Sequence, residues 1–202
     1  MPAGEPDWLE AWRNRAIDPD VALYRFDTLP GLAPDAMLGH WRGCSLPTGH
    51  PLDGLLEALG WHGKAFDAAD RVHPLLFRDS SGVPVAIEPA RLPVGLALRL
   101  PGFSRSGPVR AAFRALRPLL RARGPAAKLE TRVFRGRSSA AMVYDRLPIT
   151  DHFRRIDADR VLGLMELQRS PRPFFFLLGR YRRVAASTIS GKSAGSGPIG
   201  PK

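Results

Sequence analysis

Lys128-Leu-Glu-Thr-Arg-Val-Phe-Arg-Gly-Arg-Ser-Ser-Ala-Ala-Met-Val-Tyr144 is the stretch that decides the fold class. In its first half, apolar or β-branched residues alternate with charged ones, at Leu129, Thr131 and Val133. A period of two is typical of a β-strand with one solvated face. Arg135-Gly136-Arg137 predicts a turn, and the apolar run Ala140–Tyr144 predicts a second strand. Two such runs joined by a short turn favour an antiparallel sheet.

Other apolar runs bounded by turn residues extend this pattern in both directions. Strands are predicted at 38–43, 75–77, 83–87, 161–167 and 174–178, while 61–66 fits either a strand or a loop. The run at 174–178, Phe-Phe-Phe-Leu-Leu, has no polar alternation. Both of its faces must therefore be covered, or one of them must face an apolar cavity. Segment 145–160 is rich in polar and turn residues and is predicted as a connection. Segment 17–37 is punctuated by Asp and Pro residues, with Leu23, Tyr24 and Phe26 as apolar anchors.

Three helices are predicted around these strands. The helical spacing of apolar residues places them at 5–16, 52–59 and 109–122. In the third, Ser106 is the expected N-cap and Pro118 predicts a kink or an early end. Arginines recur along one side of that helix, at Arg110, Arg114, Arg117 and Arg121. We therefore expect a mainly β (α+β) protein, an antiparallel β-barrel with two to three peripheral helices.

Positive charge is concentrated in one part of the chain. The 202 residues include 30 Lys and Arg against 19 Asp and Glu, which gives a net charge of +11. Residues 91–137 hold 12 basic residues and one acidic residue, Glu130, so this segment alone has a net charge of +11. Compositional drift toward arginine is one interpretation. The other is a functional surface, because a local positive field attracts anions such as phosphorylated lipid head groups.

Several classes of site are missing from the sequence. It has no glycine-rich nucleotide loop and no Gly-x-Ser-x-Gly elbow. Its five histidines form no metal-binding pair, so we expect no metal and no cofactor. The single cysteine, Cys44, excludes an intramolecular disulfide. No run approaches the ~18 apolar residues of a spanning helix, and the acidic N-terminus is unlike a signal peptide, so a bacterial-type cytoplasmic protein is expected.

Two blocks of sequence carry a recognisable pattern. The first contains Leu38-Gly-His-Trp-Arg-Gly43 and Leu46-Pro-Thr-Gly-His-Pro-Leu-Asp53, and continues through Leu59-Gly-Trp-His-Gly-Lys-Ala-Phe66 to His73-Pro-Leu-Leu-Phe77. The second contains Met142-Val-Tyr-Asp-Arg-Leu-Pro-Ile-Thr-Asp-His-Phe-Arg154, Val161-Leu-Gly-Leu-Met165 and Pro173-Phe-Phe-Phe176. In this order the blocks resemble the GXWXG-domain family, whose members carry a companion C-terminal domain of unknown function.

The resemblance implies a calycin-like barrel. The motif looks like the Gly-x-Trp opening of lipocalins, fatty-acid-binding proteins and nitrobindins, in which the tryptophan closes one barrel end and an arginine often packs over it. Trp41 and Arg42 are the matching kinds of residue. The fold implies an apolar or amphiphilic ligand, and the family implies lipids with anionic head groups. Haem ligation of the nitrobindin type uses a histidine on a late strand, whereas no histidine follows His152 here.

The leading interpretation is a non-enzymatic binding protein for an amphiphilic, lipid-like ligand, with anionic phospholipid or phosphoinositide as the expected class. The expected ligand-binding residues are Trp41, Arg42, Trp61, Lys64, Tyr144, Asp145, Asp151, His152, Arg154 and Phe175. The head group is expected to meet Arg110, Arg114, Arg117 and Arg121. The expected partners are this lipid, or another anionic small molecule, and an anionic membrane surface reached from the cytoplasm. Nucleic acid is not expected, because aromatic residues do not interleave with the arginines.

Two alternatives stay open at this point. One is a small enzyme acting on an apolar substrate, with Asp145, Asp151 and His152 as acid–base groups. The other is a haem-binding, nitrobindin-like carrier. The predicted organisation is an N-terminal helical extension (1–22), a GXWXG region (23–88), a basic loop with an amphipathic helix (89–127), a C-terminal β region of the same barrel (128–184) and a disordered tail (185–202).

Overall fold

The structure, a computed structural model, describes residues 6–13, 15–99, 106–168 and 172–181. Within these residues the chain forms nine β-strands, five α-helices and two short 3-10 helices. The strands are β1 (Gly39–Ser45), β2 (Trp61–Ala68), β3 (Arg71–Arg78), β4 (Pro84–Ala86), β5 (Ala127–Phe134), β6 (Arg137–Tyr144), β7 (Ile149–Arg155), β8 (Arg160–Leu167) and β9 (Phe174–Arg180). The helices are α1 (Asp7–Arg13), α2 (Pro19–Thr28), α3 (Leu55–Ala58), α4 (Val94–Arg99) and α5 (Gly107–Leu120), and the 3-10 helices are Pro34–Met37 and Pro89–Arg91.

The strands form one antiparallel sheet that closes on itself. Their order is β2-β1-β9-β8-β7-β6-β5-β3-β4, and β2 also pairs with β3. Eight strands therefore make a ring, with β4 attached to β3 outside it. The closure is uneven, because β3 and β5 share the single register pair Val72 and Ala127. The predicted mainly β, antiparallel class is confirmed, in the form of a ring whose β3–β5 seam is less complete than that of a continuous barrel.

Strands β8 and β9 present alternate residues to two separate cores. The inner core, inside the ring, includes Phe153, Phe174 and Phe176. The outer core includes Phe175 and Phe26 of α2, whose rings lie 6.4 Å apart. The uninterrupted apolar run at 174–178 is explained by this arrangement, since each face of β9 is covered.

Helix α2 covers the outer core, in the segment that the sequence analysis describes only by its Asp and Pro residues and its apolar anchors. The Asp18 carboxylate caps the helix, because Oδ1 accepts hydrogen bonds from the backbone N–H groups of Asp20 (2.8 Å) and Val21 (3.4 Å). Pro19 occupies the first turn, where its missing N–H has no cost. The sequence analysis assigns no helix to residues 23–28, and the Asp18-Pro19 pair is the sequence signal that marks α2.

Strand β7 replaces a predicted connection. Ile149, Asp151 and Phe153 are all buried on this strand, and it pairs with β8 from Ile149–Leu167 to Arg155–Val161. The alternation of buried residues on this strand was not recognised, because the inward-facing residue between Ile149 and Phe153 is the charged Asp151. The prediction of a loop at this point is wrong, and the strand instead carries Asp151 into the ring.

The other predicted helices are present with shifted ends. Residues 5–16 contain α1, 52–59 contain α3, and 109–122 overlap α5, which ends two residues after Pro118. Helix α4 was not predicted, and it lies in the segment where the sequence predicts a basic loop. The predicted tail at 185–202 lies outside the described residues.

Candidate functional site

A cavity of about 340 Å³ occupies one end of the ring. Strands β2, β3 and β6–β9 contribute to its wall, as do four leucines of the predicted 52–59 helix: Leu52, Leu55, Leu56 and Leu59. Helices α4 and α5, the segment 89–93 and Leu147 contribute the rest of the lining. The lining is apolar except for a few groups, of which Lys64, Asp151 and Arg91 are charged. The cavity is therefore suited to a molecule that is mostly apolar.

Trp41 is buried in the inner core beside the cavity wall, where it pairs in register with Lys64. This side chain is 1% exposed, and its indole N–H donates to the carbonyl oxygen of Met37 at 2.7 Å. Trp41 pairs with Arg180 at the end of β9, whereas Phe174 at the start of that strand lines the cavity. Trp41 is buried as predicted, but it does not line the cavity.

Each glycine of the Gly-x-Trp-x-Gly motif occupies a position where a side chain would not fit or would strain the backbone. Gly39 has a φ of +110°, a conformation that favours glycine because it lacks a Cβ. Gly43 lies under the Trp61 ring, and a Cβ built on it would approach that ring to 2.2 Å. Since Trp61 lines the cavity, Gly43 allows this part of the cavity wall to pack directly on β1.

Arg180, rather than Arg42, packs over Trp41. Its guanidinium lies 4.4 Å from the centroid of the Trp41 ring and donates to the carbonyl oxygens of Leu38 (2.9 Å) and Ala36 (2.8 Å). Arg42 is exposed and does not line the cavity. The proposed match of Arg42 to the calycin arginine is corrected, because the contact is made from the last strand. That strand lies beside β1 only in the closed ring.

Lys64 and Asp151 form an ion pair inside the ring. Lys64 Nζ lies 2.9 Å from Asp151 Oδ2, and the two side chains are 4% and 1% exposed. Their strands, β2 and β7, are four positions apart in either direction around the ring, so the pair joins opposite walls. Lys64 Nζ also donates to the carbonyl oxygen of Pro74 at 3.1 Å. Neither carboxylate oxygen of Asp151 has a hydrogen-bond donor in good geometry among the described residues, so Oδ2 meets Lys64 as an ion pair only.

Aromatic rings surround the Lys64 ammonium group. Their centroids lie 5.0 Å from Nζ for Phe176, 5.7 Å for Trp61 and 6.0 Å for Tyr144. Burial raises the pKa of Asp151, although the positive charge of Lys64 opposes that shift. Burial, with a further contribution from the Asp151 charge, raises the pKa of Tyr144 well above its ordinary value, so the phenol stays protonated. The pair therefore gives the apolar cavity one strongly polar point.

His152, Arg154 and Phe175 lie on the outer face of the sheet. The His152 ring stacks on Phe134 with centroids 3.7 Å apart, and its Nε2 lies 3.2 Å from Glu166 Oε2. Burial lowers the pKa of His152. Arg154 packs over a ring of α2 at 4.6 Å and donates to the carbonyl oxygen of Phe134 at 2.8 Å. None of these three side chains lines the cavity.

The acid–base group considered above is not assembled in this fold. Asp151 points into the ring and His152 points out of it, because neighbouring residues on a strand face opposite sides. Asp145 follows β6 and is exposed. Of the ten predicted ligand-binding residues, four line the cavity: Trp61, Lys64, Tyr144 and Asp151.

The four predicted head-group arginines have different environments. Arg110 and Arg114 are exposed on α5, and their guanidinium groups make no ion pair or hydrogen bond within the described part of the chain. Arg117 is half-buried and donates to the carbonyl oxygen of Leu59 at 3.2 Å. Arg121 follows the helix and lies 3.9 Å from a carboxylate oxygen of the β3–β4 turn. Arg110 and Arg114 are therefore free to contact an anion, whereas Arg117 and Arg121 connect α5 to the ring.

The sequence analysis missed three residues at the mouth of the cavity. Arg91 lines the cavity, is exposed, and donates to the carbonyl oxygen of Leu119. Leu96 and Leu116 also line it and are 48% and 50% exposed. Leu116 could have been predicted, because it lies on the apolar side of the amphipathic helix. Leu96 could not, because α4 is short and flanked by proline and has no clear helical pattern in the sequence.

Phe174 and Phe176 were also missed as lining residues, since Phe175 was selected from the same run. The period of two allows either set to face inward. The register fixes the choice, because it pairs Phe176 with Gly163, where a Cβ would approach the Phe176 ring to 2.3 Å. Glycine at that position gives the ring room inside the sheet.

The described residues were also searched for a metal-binding cluster and for a membrane-spanning helix. They include no cluster of three or more His, Cys, Asp or Glu side chains that could hold a metal ion. Their helices include none with both the length and the apolar character needed to cross a membrane.

A closed antiparallel ring with an apolar internal site is the class of protein that this geometry defines, and comparison with known proteins places it in a family. The GXWXG protein family matches residues 24–82, and a domain of unknown function (DUF4334) matches residues 125–180. A crystal structure of a protein from Thermomonospora curvata is 32% identical, with a TM-score of 0.62, over 83% of this chain and 90% of that one. The chain belongs to the GXWXG family, with its companion domain. No curated protein matches it.

Proposed function

We propose that this protein binds one amphiphilic, lipid-like molecule, with the apolar part in the cavity and an anionic group against arginines at the mouth. The observation that carries the proposal is the cavity itself. Its lining is almost wholly apolar, with the Lys64–Asp151 ion pair inside and Arg91 at the mouth. Pockets with this composition are the usual form of small-molecule sites. Burying apolar ligand surface there contributes about 25 cal/mol per Å².

The volume favours a ligand with one chain or a compact ring system, since about 340 Å³ lies near the lower end of the roughly 300–1,000 Å³ of small-molecule pockets. A single-chain anionic amphiphile is therefore favoured over a two-chain phospholipid.

The mouth supports an anionic head group. Arg91 lies at the cavity lining, and Arg110 and Arg114 are exposed on the helix that covers the cavity. Guanidinium groups bind phosphate through two parallel hydrogen bonds, so arginine suits this role better than lysine. Leu96 and Leu116 stay half exposed at the same place. Apolar side chains flanked by arginines favour contact with an anionic membrane, from which the ligand would be taken.

A binding role is preferred to the acid–base alternative for a geometric reason. That alternative needs Asp145, Asp151 and His152 near one substrate, whereas only Asp151 lines the cavity. The Lys64–Asp151 pair remains available to position a ligand.

The proposal is tested by fluorescence titration of the full chain with 1-anilinonaphthalene-8-sulfonate, an anionic amphiphile, and displacement by decyl phosphate. Ala112 and Ala115 provide a matched pair on α5, since both are exposed alanines and only Ala112 lines the cavity. Ala112→Trp fills part of the cavity and should weaken binding at least tenfold. Ala115→Trp should leave binding unchanged. Absence of saturable binding to the parent, or equal loss in both variants, would contradict the proposal.

A further inference from the structure

The Lys64–Asp151 pair lies on the wall of the cavity and is almost completely withdrawn from solvent. The two side chains are 4% and 1% exposed, and both contribute to the lining. Most of the surrounding lining is aliphatic or aromatic. Any molecule that fills the cavity therefore brings its buried end close to this one polar point.

The hydrogen bonds of the pair are incomplete on the carboxylate side. Lys64 Nζ has two oxygen partners, Asp151 Oδ2 at 2.9 Å and the Pro74 carbonyl at 3.1 Å. Neither Oδ1 nor Oδ2 of Asp151 has a hydrogen-bond donor in good geometry among the described residues, although the residue is 0% exposed, and Oδ1 also lacks the close ion-pair contact that Oδ2 makes. Buried carboxylate oxygens without a donor are rare in native proteins, because each missing hydrogen bond leaves a desolvated charge uncompensated. What Asp151 Oδ1 lacks is a hydrogen-bond donor.

The charge of the pair restricts which donor fits. Lys64 already balances Asp151, so a ligand carboxylate or phosphate at this depth would add an unpaired negative charge beside a buried carboxylate. A ketone or an ester offers an acceptor and no donor. A hydroxyl group can donate to Asp151 Oδ1, and its oxygen can accept a hydrogen bond from the protonated phenol of Tyr144, which also lines the cavity.

We infer that the ligand carries an uncharged hydroxyl group at the end that enters the cavity first, and that this group donates a hydrogen bond to Asp151 Oδ1. The inference rests on the proposed function, since it concerns the same cavity. It goes further by assigning two polar ends to the ligand. An anionic group meets the arginines at the mouth, and a hydroxyl group meets the Lys64–Asp151 pair inside. The ligand class is then a hydroxylated anionic amphiphile rather than a simple fatty acyl chain.

The test compares decyl phosphate with 10-hydroxydecyl phosphate, which differ only in the hydroxyl group at the buried end. Isothermal titration calorimetry measures both on the full-length parent and on the double variant Lys64→Met, Asp151→Leu. Replacing both members of a buried ion pair with apolar residues of similar volume is often neutral for stability, so the double variant keeps the cavity without its polar point. Circular dichroism of the double variant verifies the fold.

The expected result is a reversal of preference. The parent should bind 10-hydroxydecyl phosphate several-fold more tightly than decyl phosphate. The double variant should prefer decyl phosphate by roughly tenfold, because the hydroxyl group would then be buried without a partner. Equal binding of both ligands to the parent, or the same preference in both proteins, would overturn the inference while leaving the proposed function standing. Absence of binding by either ligand to the parent would overturn the proposed function itself.

Discussion

Lys64→Met breaks the buried ion pair from one side, and its effect on stability follows from the burial of Asp151. The variant keeps a long, unbranched side chain but leaves a carboxylate with 1% side-chain exposure and no counter-ion. Removing one member of a buried pair typically lowers the free energy of unfolding by about 3–5 kcal/mol. We expect a loss of this size at pH 8, measured by urea unfolding with tryptophan fluorescence.

The loss should depend on pH in a definite direction. Burial already raises the pKa of Asp151 in the folded parent, and Lys64 opposes the shift, so removing Lys64 raises that pKa further. The folded variant then binds the proton more tightly than the unfolded chain. Its stability is therefore highest at low pH and is lost as pH rises from about 4 through the folded pKa, by up to about 1.4 kcal/mol per pH unit.

The double variant Lys64→Met, Asp151→Leu is the control for this experiment. It removes the unpaired carboxylate, so it should recover most of the lost stability and the extra dependence on pH should disappear. A single variant that loses less than about 1 kcal/mol, with the pH dependence of the parent, would show that Asp151 is solvated and that the pair is not buried.

Three further outcomes are expected, two from single substitutions and one from a double substitution. Gly43→Ala should lower the free energy of unfolding by about 1–3 kcal/mol and weaken binding of the anilinonaphthalene probe, because the new Cβ meets the Trp61 ring. Arg180→Gln should cost about 1.5–3 kcal/mol in urea unfolding, since two carbonyl oxygens lose a charged donor. Replacing both Arg110 and Arg114 with glutamine should weaken co-sedimentation with anionic vesicles by roughly thirtyfold at low salt, at ~1 kcal/mol per arginine.

Each of these outcomes has a matched control. Gly124→Ala introduces a Cβ with nothing within 4 Å and should leave stability and binding near the parent values. Arg42→Gln changes an exposed arginine and should stay within about 0.5 kcal/mol. Arg117→Gln should lower stability instead of selectively lowering vesicle binding, because it removes a contact with the Leu59 carbonyl. Controls that behave like the test variants would contradict the structural assignments.

Much of the fold follows from local sequence pattern. The alternation at 128–134, the Arg135-Gly136 turn and the apolar runs at 161–167 and 174–178 predict β5, β6, β8 and β9 close to their observed positions. The structure adds the reason for the turn, since Arg135 and Gly136 have φ values of +50° and +73°. Patterns of this kind are readable because each strand's face is set by its own residues.

The parts that could not be predicted depend on contacts between distant segments. Arg180 reaches Trp41 only because the last strand pairs with the first. Lys64 and Asp151 meet because their strands lie on opposite walls of a closed ring. Strand β7 was not predicted, because the charged side chain of Asp151 interrupts its apolar alternation and such an interruption is typical of a loop. The inward-facing aspartate that interrupts the apolar pattern of β7 is the residue that gives the cavity its polar point.

The most direct test of the central claim is to locate a bound amphiphile by photochemical crosslinking. A decyl phosphate analogue with a diazirine at the chain end is bound to the full chain and irradiated, and the adducts are mapped by mass spectrometry. Saturable labelling at cavity residues such as Met165, Phe174 or Phe176, reduced by excess decyl phosphate, is the expected result. Labelling confined to exposed apolar side chains away from the cavity, such as Tyr24 and Val133, would contradict the account.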